Sequence, residues 1–434
     1  MRESHIINSN GRYARYAALG APLAFASLPL YLHVPSLYSS ATPLNLASIG
    51  IILLAVRSID MVVDPFIGSL SDVFQNHRRS IMAAAVPILA LGYFALFNPP
   101  QGMDRGPTTL WLTASLIVTY AGFSILMINY YAMGVGLASA PHEHTRVALW
   151  REGAMLIGVL AASVLPTMLM NTIPLRDAYE LNALILAALL AISAFWTLTM
   201  RDIRHTPVVA RTLPFHLLKN RRLRSALFIV IINAPPLAIT STLFLFYTSD
   251  VLGAANQSGL MLGLYFLSAV FGMPMWSRLS VTFGKTKTLI LSMLASIGCF
   301  IWAAFLGRGD SFPFYIICLL SGMTLGADTV LLPSIFAEEL GTAKAELGAG
   351  FGWWNFLNKA ALAIAAGIAL PLLAAGGYRP GTSNTPGALA LLSASYALLP
   401  CACKIFAAAA LYFSPLVQKP RPQLPSSKNA GNKQ

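Results

Sequence analysis

Charge is what this sequence has least of. Charged residues make up 10 % of its 434 positions, against about 25 % in an ordinary soluble domain. So few charges cannot cover the surface of a water-soluble globule, and 56 % apolar residues exclude a disordered chain. Acids are scarcest, 16 against 29 lysines and arginines. Cysteine is scarce as well. Cys299, Cys318, Cys401 and Cys403 all lie in apolar stretches, which excludes a disulfide framework and a zinc-ligand spacing. No His-Glu-x-x-His or Gly-x-Ser-x-Gly motif is present, so nothing supports a membrane-embedded enzyme. The first twelve residues are polar and carry no signal-peptide core.

What is present is long apolar runs. A transmembrane helix needs about 20 apolar residues. Twelve such stretches account for most of the chain, from 14–37 to 386–413. The expected fold is therefore an all-α membrane protein of twelve transmembrane helices. Basic residues orient it. With both termini in the cytoplasm, 21 of the 29 basic residues fall on the cytoplasmic side. Four fall outside: Arg105, Arg176, Arg308 and Arg379. The net charge of +13 is thus loop charge, and no nucleic-acid partner is expected.

The longest connection falls halfway along the chain. It divides 1–200, an N-terminal six-helix half, from 225–414, a C-terminal one. The stretch 201–224 reads as a basic cytoplasmic linker, and 415–434 as a disordered cytoplasmic tail. A weak repeat agrees: Leu70-Ser71-x-x-Phe74 ends span two and Leu279-Ser280-x-x-Phe283 ends span eight, each followed by basic residues. Parallel repeats about an axis normal to the membrane are the arrangement of the major facilitator transporters.

A charge at mid-bilayer costs about 2.5–3.5 kcal/mol on insertion scales, so ionisable residues within spans mark function. Span two carries Arg57, Asp60 and Asp64, whose spacings put them on one helix face. Span five carries Arg151, span ten Asp328 and span eleven Lys359. At 1.5 Å per residue, Asp60, Asp328 and Lys359 come to roughly 14–18 Å depth. That is the level of substrate and ion sites in secondary transporters. An interaction of Asp60 and Asp64 with Lys359 would cross between the halves. The alternative for each acid is an ion pair that only holds helices together. Lys404 is expected to snorkel or to pair locally. Pro22, Pro29, Pro35, Pro235 and Pro236 would disrupt the first helix of each half. Trp354 would wall the site, and Asp72, Arg78, Glu143 and Arg146 read as gate or brace contacts.

The segment Arg57-x-x-Asp60-x-x-x-Asp64-Pro65-x-x-Gly68-x-x-Ser71-Asp72 resembles the signature of the glycoside–pentoside–hexuronide:cation symporters, the melibiose-permease family of the major facilitator superfamily. Further segments resemble that family in order: Ile128-Asn129-Tyr130-Tyr131, Glu143-His144-Thr145-Arg146 with Arg151, Phe246-Tyr247-x-x-Asp250, and Trp354-Asn355-Phe356-x-x-Lys359. The resemblance implies that Asp60, Asp64 and Lys359 form a cation or proton site, with no metal beyond an Na⁺ at Asp60 and Asp64 and no other cofactor. It implies solute contacts from Arg151, Asn129 and Tyr130, and a charge network of Arg57, Asp72, Glu143 and Arg146. Asp328 and Trp354 join the expected solute contacts by their positions in spans ten and eleven, Asp328 having no counterpart in the melibiose carriers. Ala24 and Met127 stand where melibiose carriers have acids, Asn129 replaces a proline, and Gly136 a common glutamate. The second loss removes a sodium ligand, so a proton suits the remaining carboxylates at least as well. The expected function is H⁺- or Na⁺-coupled symport of a sugar or glycoside-like solute, in the plasma (bacterial inner) membrane, with lipid and a small solute as partners and no obligate protein partner. The alternatives on the same fold are a lysophospholipid or amphiphile carrier, proton-coupled metabolite efflux, and a sensor that has kept the fold.

Overall fold

The structure is a computed structural model that describes residues 2–138, 140–200, 214–343, 346–379 and 384–417. Among these residues it is helical, without strands. Among the described residues ten helical segments are long and apolar enough to cross a membrane, and the long helices α2 and α3 stand beside them.

The first half runs α1 (Arg2–Ala17), α2 (Gly20–Ala41), α3 (Leu46–Val73), α4 (Arg78–Phe97), α5 (Arg105–Leu137), α6 (Pro141–Thr172) and α7 (Leu175–Leu198). The second runs α8 (Arg221–Asn233), α9 (Pro235–Phe246), α10 (Ser258–Phe283), α11 (Lys285–Phe300), α12 (Ser311–Thr342), α13 (Leu347–Ala375), α14 (Pro386–Ser393) and α15 (Leu399–Tyr412). Within the halves, α2 packs on α6 and α4 on α5, while α10 packs on α12 and α11 on α15. Between them, α3 packs on α13, α6 on α10 and α12, and α5 on α13.

Proline sets two breaks. It lacks the N–H that would bond the carbonyl four residues back, and its ring crowds that carbonyl. Pro22 faces the carbonyl of Ala18 this way, and α1 turns into α2 at Ala18–Leu19. Pro235 and Pro236 follow the break at Ala234, so Asn233 ends α8. Both first helices are thus interrupted, and Pro29 and Pro35 sit inside α2 without breaking it.

The linker 201–224 is described only from Pro214. It forms a short 3₁₀ turn, Pro214–Lys219, before α8 begins at Arg221. Residues 201–213, and the tail beyond 417, lie outside the described residues. The ends of the helices nearest the 3₁₀ turn are called the linker side below, and the opposite ends the far side.

The halves meet tightly on the linker side. The Asp72 carboxylate, at the end of α3, accepts from Arg78 Nη2 at 2.8 Å and from the backbone N–H groups of Gly348 and Ala349, each at 2.8 Å. The latter two open α13, so an anion from one half meets the positive end of a helix from the other. Thr145 and Ser334 hydroxyls meet at 3.0 Å between α6 and α12. The linker turn lies over this contact: Trp353 Nε1 donates to the Pro214 carbonyl at 3.0 Å, His216 meets Glu346, and the Phe215 ring packs on Phe66 and Trp353. Asp72→Asn removes the charge from this clasp. It is expected to speed labelling of a Ser334→Cys thiol by a water-soluble maleimide about tenfold, the loss of a charge-assisted hydrogen bond. An unchanged rate would mean that the clasp does not hold the halves.

Candidate functional site

Arg57, Asp60 and Asp64 share one face of α3, as the spacing predicts. That face meets α13 and α5. Lys359 Nζ donates to Asp60 Oδ2 at 2.5 Å and lies 2.7 Å from Asp64 Oδ2. It donates a further bond to Ser124 Oγ at 3.0 Å, and Ser124 in turn donates to Asp60 Oδ1 at 2.9 Å. Ser124, on α5, is the member that sequence reasoning missed. Asp64 is fully buried. Its contact with Lys359 is an ion pair rather than an aligned hydrogen bond, and its Oδ1 has no hydrogen-bond partner among the described residues. Arg57 lies a turn beyond Asp60, half-buried. Two carboxylates, one ammonium and one hydroxyl from three helices and both halves thus form one cluster.

A cavity of about 510 Å³ lies beside it, mostly in the second half. Tyr131, Glu152 and Trp354 line its linker-side end. From there it runs toward the far side along Pro236–Phe244 of α9 and Ser296–Phe300 of α11. Asn355 and Asn358 of α13 line it, whereas the next residue, Lys359, points into the acid cluster.

The residues read as solute contacts divide. Trp354 and Asp328 line the cavity. Asn129 and Tyr130 do not, and the expectation is corrected for both. Asn129 is fully buried and its Oδ1 accepts from Ser71. Tyr130 stacks on Tyr16 with ring centroids 4.5 Å apart. The neighbour Tyr131 faces the cavity instead. Arg151 is also set back from it, buried behind the wall. Its guanidinium pairs with Glu152 at 2.8 Å and lies over the Tyr131 ring at 3.8 Å, so Glu152 and Tyr131 present themselves to the cavity in its place.

Asp328 lies apart from the Lys359 cluster and pairs with Lys404. Of the two expectations for Lys404, snorkelling or pairing, the structure shows pairing: it is 7 % exposed and reaches two other helices. Asp72 pairs with Arg78 as expected, and the amides of α13 are an addition. Glu143 and Arg146 act within the first half. Glu143 accepts from the Ala140 N–H at the start of α6, and Arg146 donates to Asn10 and lies over the Tyr13 ring.

Twelve membrane helices in two halves, a charge cluster at their junction and an adjoining chamber define a membrane transporter of the major facilitator fold. The model of the family described as MFS/sugar transport protein matches residues 15–418, and the chain belongs to that family. A putative sulfoquinovose importer of Salmonella typhimurium is 24 % identical over 400 residues, covering 84 % of this chain and 80 % of that protein. The glucuronide carrier protein homolog of Escherichia coli is 24 % identical over 436 residues, covering 91 % and 90 %. The solved structure of the E. coli fucose:proton symporter superposes with a TM-score of 0.68 at 14 % identity, covering 94 % of this chain and 99 % of that one. That of a bacterial homologue of the iron transporter ferroportin gives 0.69 at 15 %, covering 93 % and 98 %. At such identity the likeness to the two solved structures is one of fold.

Proposed function

We propose that this protein is a secondary active transporter that carries a sugar or glycoside-like solute together with a cation by alternating access. The observation that carries the reading is Lys359, an ammonium from the second half held between two carboxylates of the first. An ion pair buried in a membrane protein is costly to open unless another cation replaces the one withdrawn. A proton or Na⁺ arriving at Asp64 supplies that replacement and releases Lys359. Only two carboxylates and one hydroxyl converge there, so H⁺ suits the cluster better than Na⁺, which takes several oxygen ligands.

We read the linker side and both termini as cytoplasmic, which the bias of basic residues supports, and the membrane as a bacterial inner membrane, which the bacterial sources of the two relatives support. The clasp at Asp72 is then the closed inner gate, and the chamber faces outward. Solute is held against Trp354, Asn355 and Asn358. A ring face and two amides suit a sugar, as do the sugars in the names of the two relatives. Release of Lys359 removes the ion pairs that tie α13 to α3 at the site, and the halves then rock about the loaded site.

The test is uptake of labelled hexoses, glycosides and uronates into liposomes holding the purified protein. An inward proton or Na⁺ gradient is expected to drive accumulation above the external concentration, and an ionophore to abolish it. Uptake that only equilibrates, whatever the gradient, would refute coupling.

A further inference from the structure

The cavity wall holds a second charge group that the Lys359 cluster does not use. It is built from the three helices α8, α12 and α15, all in the second half. Lys404 Nζ donates to Asn233 Oδ1 at 2.7 Å and to Asp328 Oδ2, and Asn233 Nδ2 donates to Asp328 Oδ1 at 3.4 Å. The break at Ala234 places Asn233 here.

Three observations set this group apart from a brace. Lys404 is the only lysine or arginine among the described residues that line the chamber. It is buried, and an ammonium has three donors, of which two are engaged; the third has no protein acceptor among the described residues. The other acid in the wall, Glu152, is already matched by Arg151. A buried salt bridge is also a poor brace, because apolar packing of the same helices holds as well or better. A lysine with an open donor in a solute chamber is therefore placed to bind.

We infer that Lys404, Asp328 and Asn233 form a second ion site, which takes the anionic group of a solute, a carboxylate or sulfonate, together with one proton. The inference rests on the reading of the cavity as the solute chamber and names the group that the solute offers it. A bare anion approaching Lys404 meets the charge of Asp328. When a hydronium ion from the outer solution gives its proton to an Asp328 carboxylate oxygen, forming one O–H bond and leaving water, that repulsion ends. Lys404 then exchanges one anionic partner for another, and Asn233 keeps its bonds to both residues. The charge of the chamber is the same before and after, since anion and proton cancel. The titratable groups that share the chamber with Asp328 are Tyr265 on α10, Tyr131 on α5, Glu152 on α6, Cys318 on α12 itself, Tyr396 in the turn between α14 and α15, and Cys401 in the first turn of α15. Glu152 is the one acid among them, and α11 and α13 line the chamber with no titratable side chain.

The test is thermal unfolding of the purified full-length protein with glucuronate and galacturonate, against glucose and galactose, at acidic and at alkaline pH. A ligand of the native state raises the melting temperature by mass action. The uronates are expected to shift it more than the hexoses do, and more at acidic pH. Lys404→Gln is expected to weaken uronate binding by at least about tenfold. Asp328→Asn, which needs no proton, is expected to bind uronate at both pH values. In Asp328→Asn the pH dependence of uronate binding is expected to fall to that of the hexoses. If Lys404→Gln alone does not fold, the pair Asp328→Asn with Lys404→Gln restores charge balance and takes its place. Uronate binding that survives loss of Lys404, or a pH dependence of uronates that still exceeds that of the hexoses in Asp328→Asn, overturns the site; hexose binding in the same samples leaves the chamber reading standing. No shift with any of the four sugars overturns both.

Discussion

Asp64→Asn is expected to abolish gradient-driven accumulation while leaving a folded protein. The side chain is fully buried, one of its oxygens has no hydrogen-bond partner among the described residues, and the other faces Lys359 at 2.7 Å. Asparagine fills the same space but cannot take up a cation. Lys359 keeps Asp60 and Ser124 in the variant, so no unpaired charge is left, and the expected stability loss is about 1–2 kcal/mol. The variant is therefore expected to melt within a few degrees of wild type and to lose uptake against a gradient down to the level of empty liposomes. The contrast is Lys359→Ala. That change leaves two carboxylates together without their ammonium, and breaking a buried pair in this way costs about 3–5 kcal/mol. Its yield in the membrane is expected to fall, and adding Asp64→Asn to restore part of it. Full accumulation by Asp64→Asn would remove the carboxylate from the coupling scheme.

Gly68→Val is expected to stop the cycle by another route. A Cβ at position 68 would sit 2.1 Å from the Gly348 carbonyl oxygen and 2.6 Å from its carbon. These are backbone atoms at the start of a long helix and cannot turn aside. The same crossing brings a Cβ at Gly348 to 2.3 Å from the Gly68 oxygen, and one at Gly352 to 2.5 Å from the Asp64 oxygen. Helices α3 and α13 thus touch backbone to backbone along the stretch that separates the clasp at Asp72 from the cluster at Lys359. Small residues permit such approach in membrane helices. Valine forces the two apart and breaks the Asp72 bonds to Gly348 and Ala349. The contact lies between the halves rather than within either, so each half still folds. In a background without the four native cysteines, Ser334→Cys is expected to be labelled rapidly in the Gly68→Val protein and slowly in its parent, with transport lost. Slow labelling with normal transport would show that the crossing tolerates the added bulk.

Much of this arrangement was legible in the sequence, and the failures have a common cause. Charges inside apolar runs announce themselves by their cost, and the spacing of Arg57, Asp60 and Asp64 assigns them one face without any tertiary knowledge. Lys359 followed from depth alone. Ser124 was not legible: a hydroxyl in a membrane helix ordinarily bonds its own backbone, and only the crossing of α3, α5 and α13 gives it a carboxylate. Tyr130 and Arg151 were each misplaced by one residue. Successive helix positions differ by about 100°, so Tyr131 and Glu152 face the chamber while their neighbours face away. A motif locates a segment better than it fixes that phase. Lys404 was undecided for a different reason. Whether a lysine snorkels or pairs depends on what the neighbouring helices bring to its level, and here the proline break delivers Asn233 and α12 delivers Asp328.

Asn358 and Lys359 are consecutive, one against the chamber and the other against the acids of α3. A rotation of α13 about its own axis cannot move one without moving the other. On the proposed function, torque applied by a solute at the amides is felt at once at the ammonium, and withdrawal of the ammonium swings the amides. The two ligands therefore share a crankshaft rather than a chain of intermediate contacts. On the coupling proposed above, damage to this shared stretch of α13 would let ion and solute cross out of step, whereas loss of an acid such as Asp64 stops accumulation outright.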